Sequence, residues 1–177
     1  MSKAKMWFVI INPTSGNGSS KRKWPKIKSL LEDANFKFDF CFTEFPKHSI
    51  KLIQNAVNQG FKNIIVIGGD GTLHNIVNAI QTQEYFDPSS IKIGIIPVGT
   101  GNDWIKTYGI SKNPKKAIQV IKNGKYKHQD IGKIEFLNSG QAPVFFNNLA
   151  GIGFDGLVVS KVAKYKSLGA IAYLVAA

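Results

Sequence analysis

Apolar residues along this chain fall into short, nearly unbroken runs separated by longer stretches with a helical repeat. Lys5 to Ile11, Phe36 to Phe42, Asn63 to Ile67 and Ile91 to Ile96 read as strands, Lys5 to Ile11 as a central strand covered on both faces. Between them, Lys21 to Ala34 places Trp24, Ile27, Leu30 and Leu31 on one helical face, with Pro25 tolerable only near the first turn. Pro46 to Gln59 turns Ile50, Ile53, Ala56 and Val57 inward and meets a stop at Gly60. Further helices are predicted from Asn75 to about Gln81, from Asp103 to Tyr108, and from Pro114 to Asn123 before Gly124. Alternating strands and helices imply right-handed crossovers, hence an α/β fold with a Rossmann-like parallel sheet and helices on both faces. The texture changes after Gly124. Tyr126 to Leu137, a turn at Asn138-Ser139-Gly140 and Val144 to Leu149 read as a hairpin that opens a β-rich second domain. The expected division is 1–124 and 125–177, and the uncapped apolar run Leu168 to Ala177 suggests a truncated chain.

Three of the predicted strands run into loops of small residues. After the third comes Gly68-Gly69-Asp70-Gly71-Thr72-Leu73-His74, where three glycines in four positions leave bare backbone at a helix start, suited to phosphate. Asp70 has the wrong charge to hold phosphate itself; it suits a partner for Mg²⁺ or for a hydroxyl proton, or a helix cap. The first strand delivers Asn12-Pro13-Thr14-Ser15-Gly16-Asn17-Gly18, either a phosphate cradle or a plain turn, with Ser19 and Ser20 placed to cap the next helix. Its spacing is not that of a Walker A loop. The fourth strand opens into Pro97-Val98-Gly99-Thr100-Gly101-Asn102-Asp103. In a parallel sheet these loops, and Thr43 at the end of the second strand, share the carboxyl edge where ligands bind.

Charge changes the picture in one respect. Lys and Arg number 23 against 11 Asp and Glu, a net charge of +12, which favours anionic membranes, nucleotides or nucleic acids. Asp70, Asp103 and Asp155 nevertheless lie in glycine-rich loops, which marks those carboxylates as needed there. The basic helix start Lys21 to Lys28 is either a solvated face or an attractor of phosphates or lipid head groups. A single cysteine, Cys41, excludes a disulfide framework and a Cys-based zinc site and points to a reduced cytosol, with Cys41 itself a small core residue. His48 is expected at the surface and His128 in a strand. No apolar run reaches the roughly 20 residues that span a bilayer. Gly151-Ile152-Gly153-Phe154-Asp155-Gly156 matches the dinucleotide fingerprint literally, but too little chain follows for its βαβ unit. Asp155 therefore faces a cleft or caps a helix from Gly156 to Tyr165.

Asn12-Pro13-x-Ser15-Gly16, Gly68-Gly69-Asp70-Gly71-Thr72, Pro97-x-Gly99-Thr100-x-Asn102-Asp103 and Gly153-Phe154-Asp155, in this order, resemble the diacylglycerol kinase catalytic domain family. The glycine-aspartate loop alone is shared with NAD kinases and phosphofructokinases; the Gly99-Thr100-x-Asn102-Asp103 segment points to the lipid branch. The resemblance implies ATP and Mg²⁺ in a cleft between an α/β domain and a C-terminal β-sandwich, and phosphoryl transfer to a lipid hydroxyl, diacylglycerol-like or sphingoid. It implies nucleotide contacts at Asn12, Ser15, Gly16, Thr43, Gly68, Gly69, Asp70, Gly71, Thr72, Leu73, His74, Gly99, Thr100 and Asn102, with Asp70 and Asp103 as the catalytic carboxylates. Where many bacterial members carry Asn-Glu, this chain has His74-Asn75, and the family's proposed base and much of its Mg²⁺ site fall past residue 177. The expected setting is cytoplasmic, peripheral to an anionic membrane, with basic stretches at 21–28, 112–127 and 161–166 and no nucleic-acid partner. The alternatives are a nucleotide-binding domain without turnover and a soluble NAD or sugar-phosphate kinase.

Overall fold

A computed structural model describes residues 2–99 and 102–151. The expected positions Thr100, Asp155, the Gly156 to Tyr165 helix and the 161–166 basic stretch lie outside the described residues. The chain divides into two compact units, 1–147 and 148–177. In the first, β1 (Trp7–Ile11), β2 (Phe38–Phe42), β3 (Asn63–Gly68) and β4 (Lys92–Pro97) form one parallel sheet in the order β2-β1-β3-β4. Helices α1 (Ser19–Asp33), α2 (His48–Asn58), α3 (Asp70–Thr82), α4 (Trp104–Thr107) and α5 (Pro114–Lys122) follow in chain order.

Side chains two apart along a strand share a face, so each apolar run feeds two cores at once. Ile10, Ile64, Val66 and Ile95 pack with Ile53 and Val57 of α2 and Leu73, Ile76 and Ile80 of α3. Val9, Ile11, Ile65, Ile67 and Ile96 pack on the other side with Trp24, Ile27 and Leu31 of α1 and Ala117 and Ile118 of α5. Such double coverage is what permits uninterrupted Ile and Val in β1 and β3. Because β2 lies on one side of β1 and β3 on the other, the strand order reverses between β1 and β3. The crevice at the carboxyl ends of that pair is where an open α/β sheet admits a ligand.

Several boundaries differ from the sequence expectation. Helix α1 begins at Ser19, two residues early, because Gly18 enters it in the left-handed conformation (φ +78°). Ser19 and Ser20 are therefore inside the helix and cap nothing; Ser20 Oγ is buried without a partner. Pro25 consequently sits in the second turn, where it removes the donor for the Lys21 carbonyl. Helix α3 begins at Asp70, so the glycine-rich turn is its first turn, and Asp70 does not cap it: Gly69 holds that position and no side chain bonds the cap. Asp103 stands at the N-cap of α4, likewise without capping by its side chain. The predicted hairpin pairs antiparallel but is short, β5 (Gly132–Ile134) with β6 (Val144–Phe146); among the described residues no strand pairs with the exposed segment Tyr126 to His128. His128 accordingly lies in irregular chain. His48 is half-buried, stacked on Phe45 with centroids 4.2 Å apart.

Candidate functional site

The loops leaving β1, β3 and β4 meet at the carboxyl edge of the sheet through interactions that only small residues allow. Gly16 is left-handed (φ +60°), and a Cβ there would come within 3.2 Å of the Gly99 nitrogen and Cα. Gly99 (φ +123°) approaches the Gly16 nitrogen in return, so the first and third loops touch backbone to backbone. Asn12 bridges the first loop to the second: its Nδ2 donates to Thr72 Oγ1 at 3.0 Å, and its Oδ1 accepts from the Thr14 N–H and hydroxyl. Gly68 is fixed by the same threonine, because a Cβ would stand 2.7 Å from Thr72 Oγ1 and 2.8 Å from Thr72 Cβ. Thr43 joins the edge through its N–H to the Ile11 carbonyl at 2.9 Å.

Helix α3 opens into this junction. Gly69 is extended, and its carbonyl accepts from both Thr72 and Leu73. The N–H groups of Asp70 and Gly71 have no acceptor within the helix, as at any helix start. Gly71 is exposed, and a Cβ placed on it would meet nothing within 4 Å. A ligand can therefore approach these donors closely, and the helix dipole favours a negative one.

The acidic side of the site is built from Asp70 and Asp103. The Asp103 N–H donates to Asp70 Oδ2 at 2.8 Å, while Asp70 Oδ1 is buried with no partner. Lys106 Nζ pairs with Asp103 Oδ1 at 2.5 Å; that bond, with the charges of Asp103 and Asp70, raises the lysine pKa. Asn102, 1% exposed, donates from Nδ2 to the Gly99 carbonyl at 2.8 Å and leaves its Oδ1 buried and unpartnered. A buried orphan acceptor carries a desolvation cost that a bound cation or donor would relieve. Among the described residues no group of three or more His, Cys, Asp or Glu side chains comes together. The pair Asp70 and Asp103 thus fits a cation that completes its shell with phosphate and water, as Mg²⁺ does.

His74 lies one turn into α3, half-buried, its pKa pushed down by burial and by the nearby Lys47 ammonium. Asn78 Nδ2 donates to the His74 carbonyl at 2.9 Å and lies 3.5 Å from His74 Nε2. Of the residues expected from sequence, Asn12, Gly16, Gly68, Gly69, Asp70, Thr72, Gly99, Asn102 and Asp103 are linked here by direct contacts. Ser15 belongs to the first loop, where its carbonyl accepts from Ser20 N–H at 3.3 Å. Leu73, by contrast, is fully buried in the core, and its N–H is taken by the Gly69 carbonyl. Sequence reading missed Lys106 and Asn78, although each stands a helical turn after a recognised residue, Asp103 and His74.

A family model for the diacylglycerol kinase catalytic domain matches residues 6–134. A diacylglycerol kinase of Staphylococcus carnosus (strain TM300) is 35% identical over 145 residues, 82% of this chain and 44% of that protein. One from Staphylococcus saprophyticus is 32% identical over 168 residues, 94% of this chain and 52% of that one. A crystal structure of a diacylglycerol kinase from Bacillus anthracis str. Sterne aligns with a TM-score of 0.58 at 27% identity, covering 73% of this chain and 44% of that chain. The chain thus spans about half the length of the curated relatives it matches. Three converging loops, an acidic pair at a helix start and the family match over most of the sheet unit together place this chain in the diacylglycerol kinase catalytic domain family.

Proposed function

We propose that the protein transfers the γ-phosphate of ATP to a lipid hydroxyl, diacylglycerol-like or sphingoid, at the surface of an anionic membrane. The observation that carries this reading is the Asp70 carboxylate, one oxygen held by the Asp103 N–H and the other buried without a partner. The N–H groups of Asp70 and Gly71 would hold phosphate oxygens, Asn12 would keep the first loop against Thr72, and Thr43 would border the nucleotide. Mg²⁺, when bound, supplies charge neutralisation on the transferring phosphoryl oxygens, with Asp70 and Asp103 as its acidic side. The lipid hydroxyl oxygen forms the new bond to phosphorus as the bridging bond to ADP breaks and the hydroxyl proton leaves to water, so positioning and fixed dipoles carry most of the acceleration.

Membrane attachment is supported by charge on one face of the sheet. Lys21, Arg22, Lys23 and Lys26 on α1 and Lys115, Lys116 and Lys122 on α5 are exposed, and these two helices share a core. Each such cation near an anionic bilayer contributes about 1 kcal/mol. Among the described residues no helix is long and apolar enough to cross a membrane. The test is incorporation of label from γ-labelled ATP with Mg²⁺ into mixed vesicles containing diacylglycerol or sphingoid base. Label in the lipid is the expected result. Thermal stabilisation by ATP without transfer would favour a binding-only domain. Transfer to NAD or a sugar phosphate without vesicles would favour a soluble kinase.

A further inference from the structure

Among the described residues, strand β6 pairs with another strand along one edge only. In the register Gly132↔Phe146 and Ile134↔Val144, the backbone of Phe145 between them points away from β5, as alternate residues of an antiparallel pair do. At Phe145 that outer edge is occupied by a side-chain amide. Asn78 Oδ1 accepts from Phe145 N–H at 2.9 Å, and Asn78 Nδ2 donates to Phe145 O at 2.7 Å. Just past β6, Gln129 Nε2 donates to Asn147 O at 2.5 Å, and Gln129 Oε1 accepts from Trp104 Nε1 at 2.8 Å. A carboxamide offering one acceptor and one donor to a single residue reproduces the pair of bonds that one residue of an antiparallel neighbouring strand would make.

These two amides reach back to the elements that carry the site. Asn78 stands on α3, whose first turn holds Asp70 and Gly71, and its second Nδ2 hydrogen goes to the His74 carbonyl. Trp104 is the first residue of α4, directly after Asp103. The bonds to Phe145 also fix which end of the Asn78 amide is nitrogen, since a backbone N–H only donates and a carbonyl only accepts. We infer that Asn78 is a positioning residue: its amide takes the place of a neighbouring strand's residue on the outer edge of β6. Through it, occupancy of the α3 N-terminus is transmitted to β6, the last strand of the first unit. The transmission rests on the nucleotide reading above; the clasp does not.

Amide hydrogen exchange on the whole protein, with and without Mg·ADP as the probe, separates the two. In the unaltered protein Phe145 N–H exchanges slowly, and Mg·ADP slows both the 70–73 amides and Phe145. Asn78→Ala is expected to speed Phe145 exchange about tenfold, the loss of one hydrogen bond and its desolvated partner. It is also expected to abolish the ligand effect at Phe145 while leaving protection at 70–73. Asn78→Asp keeps the acceptor for Phe145 N–H but sets oxygen against Phe145 O. It is expected to perturb Phe145 in the same direction, and it serves where the alanine variant fails to fold. Slow, unchanged Phe145 exchange in both variants overturns the clasp. Protection of 70–73 with no response at Phe145 in the unaltered protein overturns the transmission. Absence of protection at 70–73 overturns the nucleotide reading and the transmission with it, while ligand-free exchange still decides the clasp.

Discussion

The backbone N–H of Asp103 donates to the Oδ2 of Asp70 at 2.8 Å, tying the turn after β4 to the first turn of α3 and leaving the second Asp70 oxygen buried and free of any partner. In Asp70→Asn, the amide oxygen can still accept from Asp103, so the tie and the fold should survive. The amide nitrogen then stands where a cation-seeking oxygen stood. We expect kcat to fall by about 10²–10³-fold, the range for loss of one electrostatic contact to a reacting group. The melting temperature should stay within a few degrees. Steady-state kinetics beside a thermal melt checks both, and wild-type turnover in this variant would remove Asp70 from the mechanism.

The glycines of the same loop separate packing from ligand approach. Gly68→Ala forces a Cβ within 2.8 Å of Thr72 Cβ, at the residue that receives the Asn12 bond. The expected cost is about 1–3 kcal/mol from overpacking. Gly71→Ala meets nothing within 4 Å and replaces glycine in a helix. It should leave stability equal or raise it by up to about 1 kcal/mol. It should nevertheless weaken ATP binding, because the new methyl group covers the exposed helix start. Urea titration with ATP calorimetry distinguishes the two variants; equal ATP affinity in Gly71→Ala would show that phosphate does not approach there.

What the sequence disclosed follows the same division. Lys5 to Ile11 read directly as a doubly covered strand because burial on both faces leaves no polar alternation to confuse the pattern. The meeting of the three loops was legible from their places at strand ends, since a parallel sheet puts all its carboxyl ends on one edge. The start of α3 was not: glycines have low helix propensity, so local reading delays the helix past Asp70 although tertiary contacts form it there. Asn78 was illegible for a different reason. Its partner Phe145 is 67 residues away, and an asparagine inside an amphipathic helix looks like ordinary surface.

Helix α1 carries two local costs that its sequence spacing did not reveal. Pro25 lies in the second turn, exposed, and deprives the Lys21 carbonyl of its intrahelical donor. Pro25→Ala should stabilise the protein by about 1–3 kcal/mol, the helix gain offset in part by greater freedom of the unfolded chain. Ser20→Ala removes a buried hydroxyl with no partner and should add about 1 kcal/mol. Denaturant midpoints test both, and a loss of stability in Pro25→Ala would mean that the proline ring helps to seat Trp24 against β2.

His74 makes stability depend on pH in a direction that its surroundings fix. Burial comes first and the Lys47 ammonium second in holding its pKa below the usual value of 6.5, and the Asn78 amide nitrogen faces its Nε2. Above 6.5 the imidazole is neutral in folded and unfolded chains alike and contributes nothing to the dependence. As pH falls below that value, the unfolded chain takes up the proton before the native state does, so stability falls until the lowered native value is passed. Wild-type protein should therefore lose stability between neutral pH and pH 5 more steeply than His74→Asn. Lys47→Met, which removes the second cause, should show an intermediate slope. Melting curves across that range, corrected for the common carboxylate background by the His74→Asn profile, provide the measurement. Superimposable profiles would show that the native imidazole titrates as it does in the unfolded chain.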